Sequence, residues 1–198
     1  MYSFIFMRHG RSLADDEKKY EGRYDSELTS VGVAQGKNTA MLFKEAKAFD
    51  RIITSPLLRA KKTATILSEV LNTPIEENEL LLERDNGLLA GLTYQEASLK
   101  YPEPDKTTIT RKYPMQSGEN EIELSARALL CINYILSNDP GRYLIISHGN
   151  ILNCIIKRVL NMPLESNVKF GLKDNGFVEL EYHEDKNQWI FRRMVEGY

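Results

Sequence analysis

Phe4-Ile5-Phe6-Met7-Arg8-His9-Gly10 is an apolar run that stops on a cation, an imidazole and a glycine, and Leu144-Ile145-Ile146-Ser147-His148-Gly149 ends the same way far along the chain. Short apolar runs cut off by a glycine read as buried strands. Tyr2–Met7 and Tyr143–Ser147 are therefore predicted strands, and Arg51–Thr54 and Leu80–Leu82 are two more candidates. Helical patterns fall between them. One follows a Thr29 cap with Val33, Ala34, Met41 and Leu42 on its inner face, and one opens at Ser55-Pro56 and runs through Ala60, Ala64, Leu67 and Leu71. A capping box at Thr93–Glu96 starts a short helix toward Tyr101. A longer helix places Ile122, Ala126, Leu129, Leu130 and Ile135 on or near one face, and Ile151–Leu160 forms another. Asp139-Pro140-Gly141 is a turn, and Val178–Tyr182 with Trp189–Arg193 makes a closing hairpin. This alternation predicts an α/β fold, a three-layer α/β/α sandwich on a mostly parallel central sheet.

Composition bounds what such a fold can serve. The 198 residues fit a single domain over 1–198, and 42% hydrophobic with 27% charged residues is the balance of a soluble globular chain. A formal charge of −2 offers no global field for nucleic acid or an anionic membrane. No run approaches the ~20 apolar residues of a membrane helix. Met1–Met7 is too short for the apolar core of a signal peptide, so a cytoplasmic location is expected. Cys131 and Cys154 lack CxxC spacing and lie in apolar helical patterns, which predicts buried free thiols in a reducing compartment. The sequence has no HExxH and no paired Cys/His set for zinc, and Gly32–Asn38 fails as a phosphate loop because only three residues separate its glycines. Neither a metal nor a cofactor is expected.

The two matched strand ends carry the chemistry. Residues just beyond the carboxyl ends of parallel strands gather on one edge of the sheet, where ligands bind. His9 and His148 are thus predicted to meet there, with Arg8 beside them. A glycine after each lets backbone come close to a ligand. His183 lies in the polar turn of the closing hairpin and is given no role.

With these residues the chain resembles the histidine phosphatase superfamily in its phosphoglycerate mutase-like branch. Arg8-His9-Gly10 matches the signature, and Gly22 with Asp25–Thr29, Gly32 and Gln35 is similar to the G-x-x-D-x-x-L-T-x-x-G-x-x-Q stretch. Ser55-Pro56-Leu57-Leu58-Arg59-Ala60 with Thr63-Ala64 resembles S-P-L-x-R-A-x-x-T-A. Leu82-Glu83 with Gly87, Ser117–Asn120, and Ser147–Asn150 resemble the three remaining elements, in family order.

The resemblance implies a phosphatase acting on a small phosphorylated metabolite through a phosphohistidine on His9, without metal. Its alternatives are a cofactor-dependent phosphoglycerate mutase and a non-catalytic phospho-ligand-binding protein; a homodimer is compatible with either. His148 and Glu83 are the implied catalytic partners of His9, with Glu83 as the general acid. Arg8, Arg59, Gly149 and Asn150 are implied to bind phosphate, the arginines through planar forks and the last two through backbone amides at a helix start. Neighbouring arginines are expected to keep His9 neutral. Asp15, Gly22 and Arg84 are the further candidate substrate contacts. Asp15 stands where the family often has an asparagine that touches phosphate, so it is expected either to turn away or to read a donor group of the substrate. Residues 84–118 form an excursion shorter than that of the mutases, with Arg111 and Lys112 as its candidate cations.

Overall fold

The structure is a computed structural model and describes residues 1–101 and 117–198. In chain order its strands are β1 (Tyr2–Arg8), β2 (Arg51–Thr54), β3 (Ile75–Glu77), β4 (Arg142–Ser147), β5 (Phe177–His183) and β6 (Gln188–Val195). The α-helices are α1 (Leu13–Asp16), α2 (Ser30–Lys44), α3 (Leu58–Leu71), α4 (Tyr94–Lys100), α5 (Glu121–Leu136) and α6 (Gly149–Val159). The strands form one sheet in the order β3-β2-β4-β1-β5-β6. The pairs among β3, β2, β4 and β1 are parallel, and the β5–β6 hairpin adds antiparallel to β1. The predicted sandwich and closing hairpin are present.

Alternation along β1 builds the two outer layers. Phe4 and Phe6 face a core shared with Leu124, Ala128, Cys131 and Ile135 of α5 and Ile151 and Ile155 of α6. Ile5 and Met7 face the opposite core, with Ala40 and Phe43 of α2 and Ala60, Ala64 and Leu67 of α3. A strand covered by helices on both faces must be apolar throughout, and Phe4–Met7 are fully buried. Cys131 and Cys154 are buried and free. Among the described residues no helix is long and apolar enough to cross a membrane.

Four local expectations need correction. Leu80–Leu82 is not a strand: Asn78 Oδ1 accepts the Leu80 N–H at 2.9 Å and turns Glu79–Leu81 into a 3₁₀-helix, while Ile75–Glu77 supplies the third strand. On α2 the buried face is Gly32, Gln35, Gly36, Thr39, Ala40 and Phe43, and Met41 and Leu42 are exposed. Close approach selects those small and polar residues, because α2 lies against the Gly10-Arg11 backbone and Gln35 Oε1 accepts the Arg11 N–H at 3.0 Å. On α5 only Ile135 of the expected set is buried. That helix has apolar residues on two sides, and the side turned inward also carries Arg127, whose Nη1 binds the carbonyls of Leu80 and Leu82. Finally, Ser55 does not cap α3; the cap position is Leu57, and Asp25 Oδ1 accepts the Leu58 N–H at 2.7 Å.

Candidate active site

β1 and β4 are parallel neighbours in a register that sets Arg8 opposite Ser147, so the residues that follow them, His9 and His148, emerge side by side. Their ring centroids are 5.1 Å apart. The His9 N–H donates to the Ser147 carbonyl at 3.0 Å, and the Asn175 N–H donates to the His9 carbonyl at 3.2 Å. Nδ1 of His9 donates to the Gly10 carbonyl at 2.7 Å. Nε2 therefore keeps its lone pair, and it accepts the Nε–H of Arg59 at 3.2 Å. The His9 pKa lies well below the ordinary 6.5, chiefly through burial and then through Arg59 and Arg8. The arginines thus act in the expected direction, but loss of solvation is the larger cause.

Arg59 is fully buried. Its Nη1 and Nη2 are tied to the carbonyls of Tyr24 at 3.0 Å and Gly22 at 2.8 Å, so the guanidinium is fixed before any ligand arrives. Gly22 has φ of +52°, and a Cβ there would lie 2.9 Å from the Arg84 carbonyl oxygen. Thr63 joins α3 to the loop that follows β1: its Oγ1 accepts the Gly10 N–H at 3.1 Å and donates to the Arg59 carbonyl at 2.7 Å.

Nε2 of His148 lies 2.8 Å from Ser55 Oγ, while its Nδ1 is buried without a hydrogen-bond partner among the described residues. Burial, followed by Arg59 and His9, holds the His148 pKa well below 6.5. A buried ring nitrogen left unpaired in the protein is a natural place for a ligand atom.

Glu83 is buried at the start of α6. Its carboxylate accepts the backbone N–H groups of Arg84 at 2.6 Å, Asn150 at 3.0 Å and Ile151 at 3.2 Å. Arg127 braces the segment from behind through the carbonyls of Leu80, Leu82 and Glu83, and it is itself held by Glu119 at 2.6 Å. Beyond its own helix and chain neighbours, Gly149 has no described residue within 4 Å of where a Cβ would project, which leaves open space at the mouth of the helix.

Arg8, His9, Asp15, Gly22, Glu83, Gly149 and Asn150 all line one cavity of about 680 Å³. Asp15 neither turns away nor stands free to read a substrate. Its Oδ1 accepts Arg8 Nη2 at 3.0 Å, and its Oδ2 accepts the Ser12 N–H at 3.0 Å, completing a capping box on α1. Arg84 belongs elsewhere: it donates to the Glu119 carbonyl at 3.0 Å, pairs with Glu121 at 2.5 Å, and lines a neighbouring hollow. Arg111 and Lys112 lie outside the described residues.

Residues that sequence reasoning did not find complete the setting. Asp174 holds the second terminal nitrogen of Arg8 at 3.1 Å. Glu21 places a carboxyl oxygen 3.7 Å from His9 Nε2. A model of the histidine phosphatase superfamily, branch 1, matches residues 4–195. The chain belongs to this superfamily. This histidine phosphatase superfamily member is 30% identical over 160 residues to the "Uncharacterized phosphatase PhoE" of Bacillus subtilis, covering 80% of this chain and 78% of that one. It is 28% identical over 199 aligned positions to the "Probable phosphoglycerate mutase GpmB" of Proteus mirabilis, covering 96% and 91% of the two chains. The solved structure of Bacillus stearothermophilus YhfR is similar with a TM-score of 0.86 at 23% identity, over 100% of this chain and 97% of that one. Relatives named as phosphatases and as mutases therefore both stand beside this superfamily member.

Proposed function

We propose that the chain is a metal-independent phosphatase that hydrolyses small phosphomonoesters through a phosphohistidine on His9. The observation that carries this reading is the fixed, neutral His9, whose Nδ1–H is bound to the Gly10 carbonyl and whose Nε2 lone pair faces the Arg59 Nε–H. A phosphomonoester dianion admits a nucleophile only where its charge is compensated. Arg8 and Arg59 are the cations at that position, and Nδ1 of His148 is a donor in waiting when the Ser55 hydroxyl donates to Nε2 of the same ring. Preorganised donors of this kind each contribute about 10²–10³ in rate.

In the first step Nε2 of His9 forms a bond to phosphorus as the ester P–O bond breaks. Glu83 donates a proton to the departing alkoxide, having exchanged its amide contacts at α6 for the leaving-group oxygen. In the second step a water molecule, deprotonated by Glu83, attacks the phosphohistidine; the P–N bond breaks and inorganic phosphate leaves.

Brief reaction with a ³²P-labelled phosphomonoester, quenched at high pH, is expected to leave an acid-labile label on His9. Persistence of that label in His9→Ala overturns the mechanism. The likeness to GpmB favours a second reading, in which the phosphoryl group returns to another hydroxyl of the substrate. Phosphate release is expected to outrun interconversion of 3- and 2-phosphoglycerate, even with bisphosphoglycerate priming. Primed interconversion with negligible phosphate release selects the mutase instead.

A further inference from the structure

Glu21 is an acid in the cavity that this mechanism does not use. One oxygen lies 3.7 Å from Nε2 of His9 and the other 3.4 Å from Nε of Arg59. Those are the atoms a transferring phosphoryl group has to reach. The carboxyl group is held in place by two hydroxyls from separate segments, Ser12 at 2.5 Å and Ser26 at 3.3 Å. Arg59 has few donors to spare, because Nη1 and Nη2 are committed to the carbonyls of Tyr24 and Gly22. The N–H nearest the nucleophile is the one that Glu21 crowds. A carboxylate there and a phosphate dianion would crowd the same two atoms, and like charges at such close range do not both persist.

We propose that Glu21 is a protonation gate on the phosphate site: a phosphomonoester dianion occupies the pocket only with the Glu21 carboxyl protonated, and that proton then forms a hydrogen bond to a phosphate oxygen. Binding of the dianion thus takes up one proton from solvent, and ionised Glu21 shuts the site. This inference rests on the reading of the cavity as a phosphate site.

The surroundings support it. The Glu21 pKa is raised, first by burial and then by Asp15 on α1, against the opposing pull of Arg59 on α3 and Arg8 at the end of β1. His9 and His148 are held well below 6.5 by burial in the free protein, and both remain in a Glu21→Gln variant. Tyr94 on α4 has its pKa raised by burial and stays protonated. Asp15 and Glu83 are further carboxyls lining the cavity. Both remain in a Glu21→Gln variant, so a difference between that variant and the wild type belongs to Glu21.

The test is calorimetric titration of the protein with inorganic phosphate at about pH 7.5, in two buffers of different ionisation enthalpy, which counts the protons taken up. The wild type is expected to take up as much as one proton more per phosphate than Glu21→Gln. Its affinity for phosphate, relative to the variant, falls about tenfold per pH unit once Glu21 ionises. Equal uptake with parallel affinity profiles overturns the gate and leaves the phosphate site standing. Failure of phosphate to bind the wild type at any pH overturns the site itself, and the gate with it. Should Glu21→Gln not fold, Glu21→Ala takes its place. Wild-type uptake in excess of that variant's supports the gate, and equal uptake overturns it.

Discussion

Nδ1 of His9 and the carbonyl oxygen of Gly10, adjacent in sequence, lie 2.7 Å apart, and that bond decides which ring nitrogen keeps its lone pair. A carbonyl only accepts, so the proton of the neutral ring sits on Nδ1 and the lone pair on Nε2. The ring is thereby oriented by backbone, without a carboxylate partner on Nδ1. This arrangement costs little to keep neutral, because burial already opposes protonation of the ring.

Both histidines have folded-state pKa values well below 6.5. Their contribution to stability is present above about pH 6.5 and is lost as pH falls toward the folded-state values, since the unfolded chain then binds protons that the folded protein refuses. Denaturant titrations from about pH 7 to pH 5 should show stability falling by up to about 1.4 kcal/mol per pH unit for each histidine. His148→Asn should lose about half of that slope. A slope unchanged from the wild type would place the proton uptake elsewhere.

Glu83→Gln should lose activity in proportion to the leaving group's need for a proton. A loss of about 10²–10⁴ in kcat is expected with alkyl phosphates, and a much smaller one with p-nitrophenyl phosphate. Equal losses on both substrates would make Glu83 a positioning residue at the start of α6.

Two glycines should respond in opposite ways. A Cβ at Gly32 meets the Arg11 carbonyl oxygen at 2.2 Å, so Gly32→Ala should destabilise the protein by about 2–3 kcal/mol and displace the Gly10-Arg11 loop. At Gly149 a Cβ would meet no other part of the described structure within 4 Å beyond its own helix and chain neighbours. Gly149→Ala should leave stability within about 0.5 kcal/mol while lowering kcat/KM, because the methyl group enters the cavity. Melting temperature and steady-state kinetics on the two variants check this.

Arg127→Met removes the brace behind Glu83 and strands Glu119, which is only 10% exposed. About 3–5 kcal/mol of stability should be lost. Adding Glu119→Gln to that variant should recover part of the stability without restoring turnover of alkyl phosphates, since Leu80, Leu82 and Glu83 still lack their anchor.

How much of this could be read from the sequence depends on how local each signal is. β1 and β4 were legible because a buried strand is a short apolar run with a sharp end, and His9 and His148 were legible because they share that end. The Thr93–Glu96 capping box was legible for the same reason, as all of its partners lie within one turn. The inner faces of α2 and α5 were not. Apolar periodicity reports a face only when one face is apolar, whereas α5 is apolar on two sides and α2 buries Gly32 against a loop and Gly36 against Ile66 of α3. Asp15 had a local signal that went unread, since Ser12-x-x-Asp15 is itself a capping box. Glu21 and Asp174 had none. Each is one of 28 acidic residues, and only the tertiary approach of Arg59 and Arg8 distinguishes them.

β1 lies between β4 on one side and β5 on the other, and both of its neighbours are made late. β1 must wait for residues up to 147 before its β4 edge can close, and for residues up to 183 before both edges are closed. At about 5–20 residues per second, that is a delay on the order of ten seconds or more. During it Phe4-Ile5-Phe6-Met7 has no partner strand, with Arg8 as the charge that discourages it from joining another chain. Loops this long make the closing of the sheet slow as well as late. Nascent chains cut short before β4 should therefore expose a sticky β1 to chaperones and proteases, and His9 meets His148 only once both strands have been made.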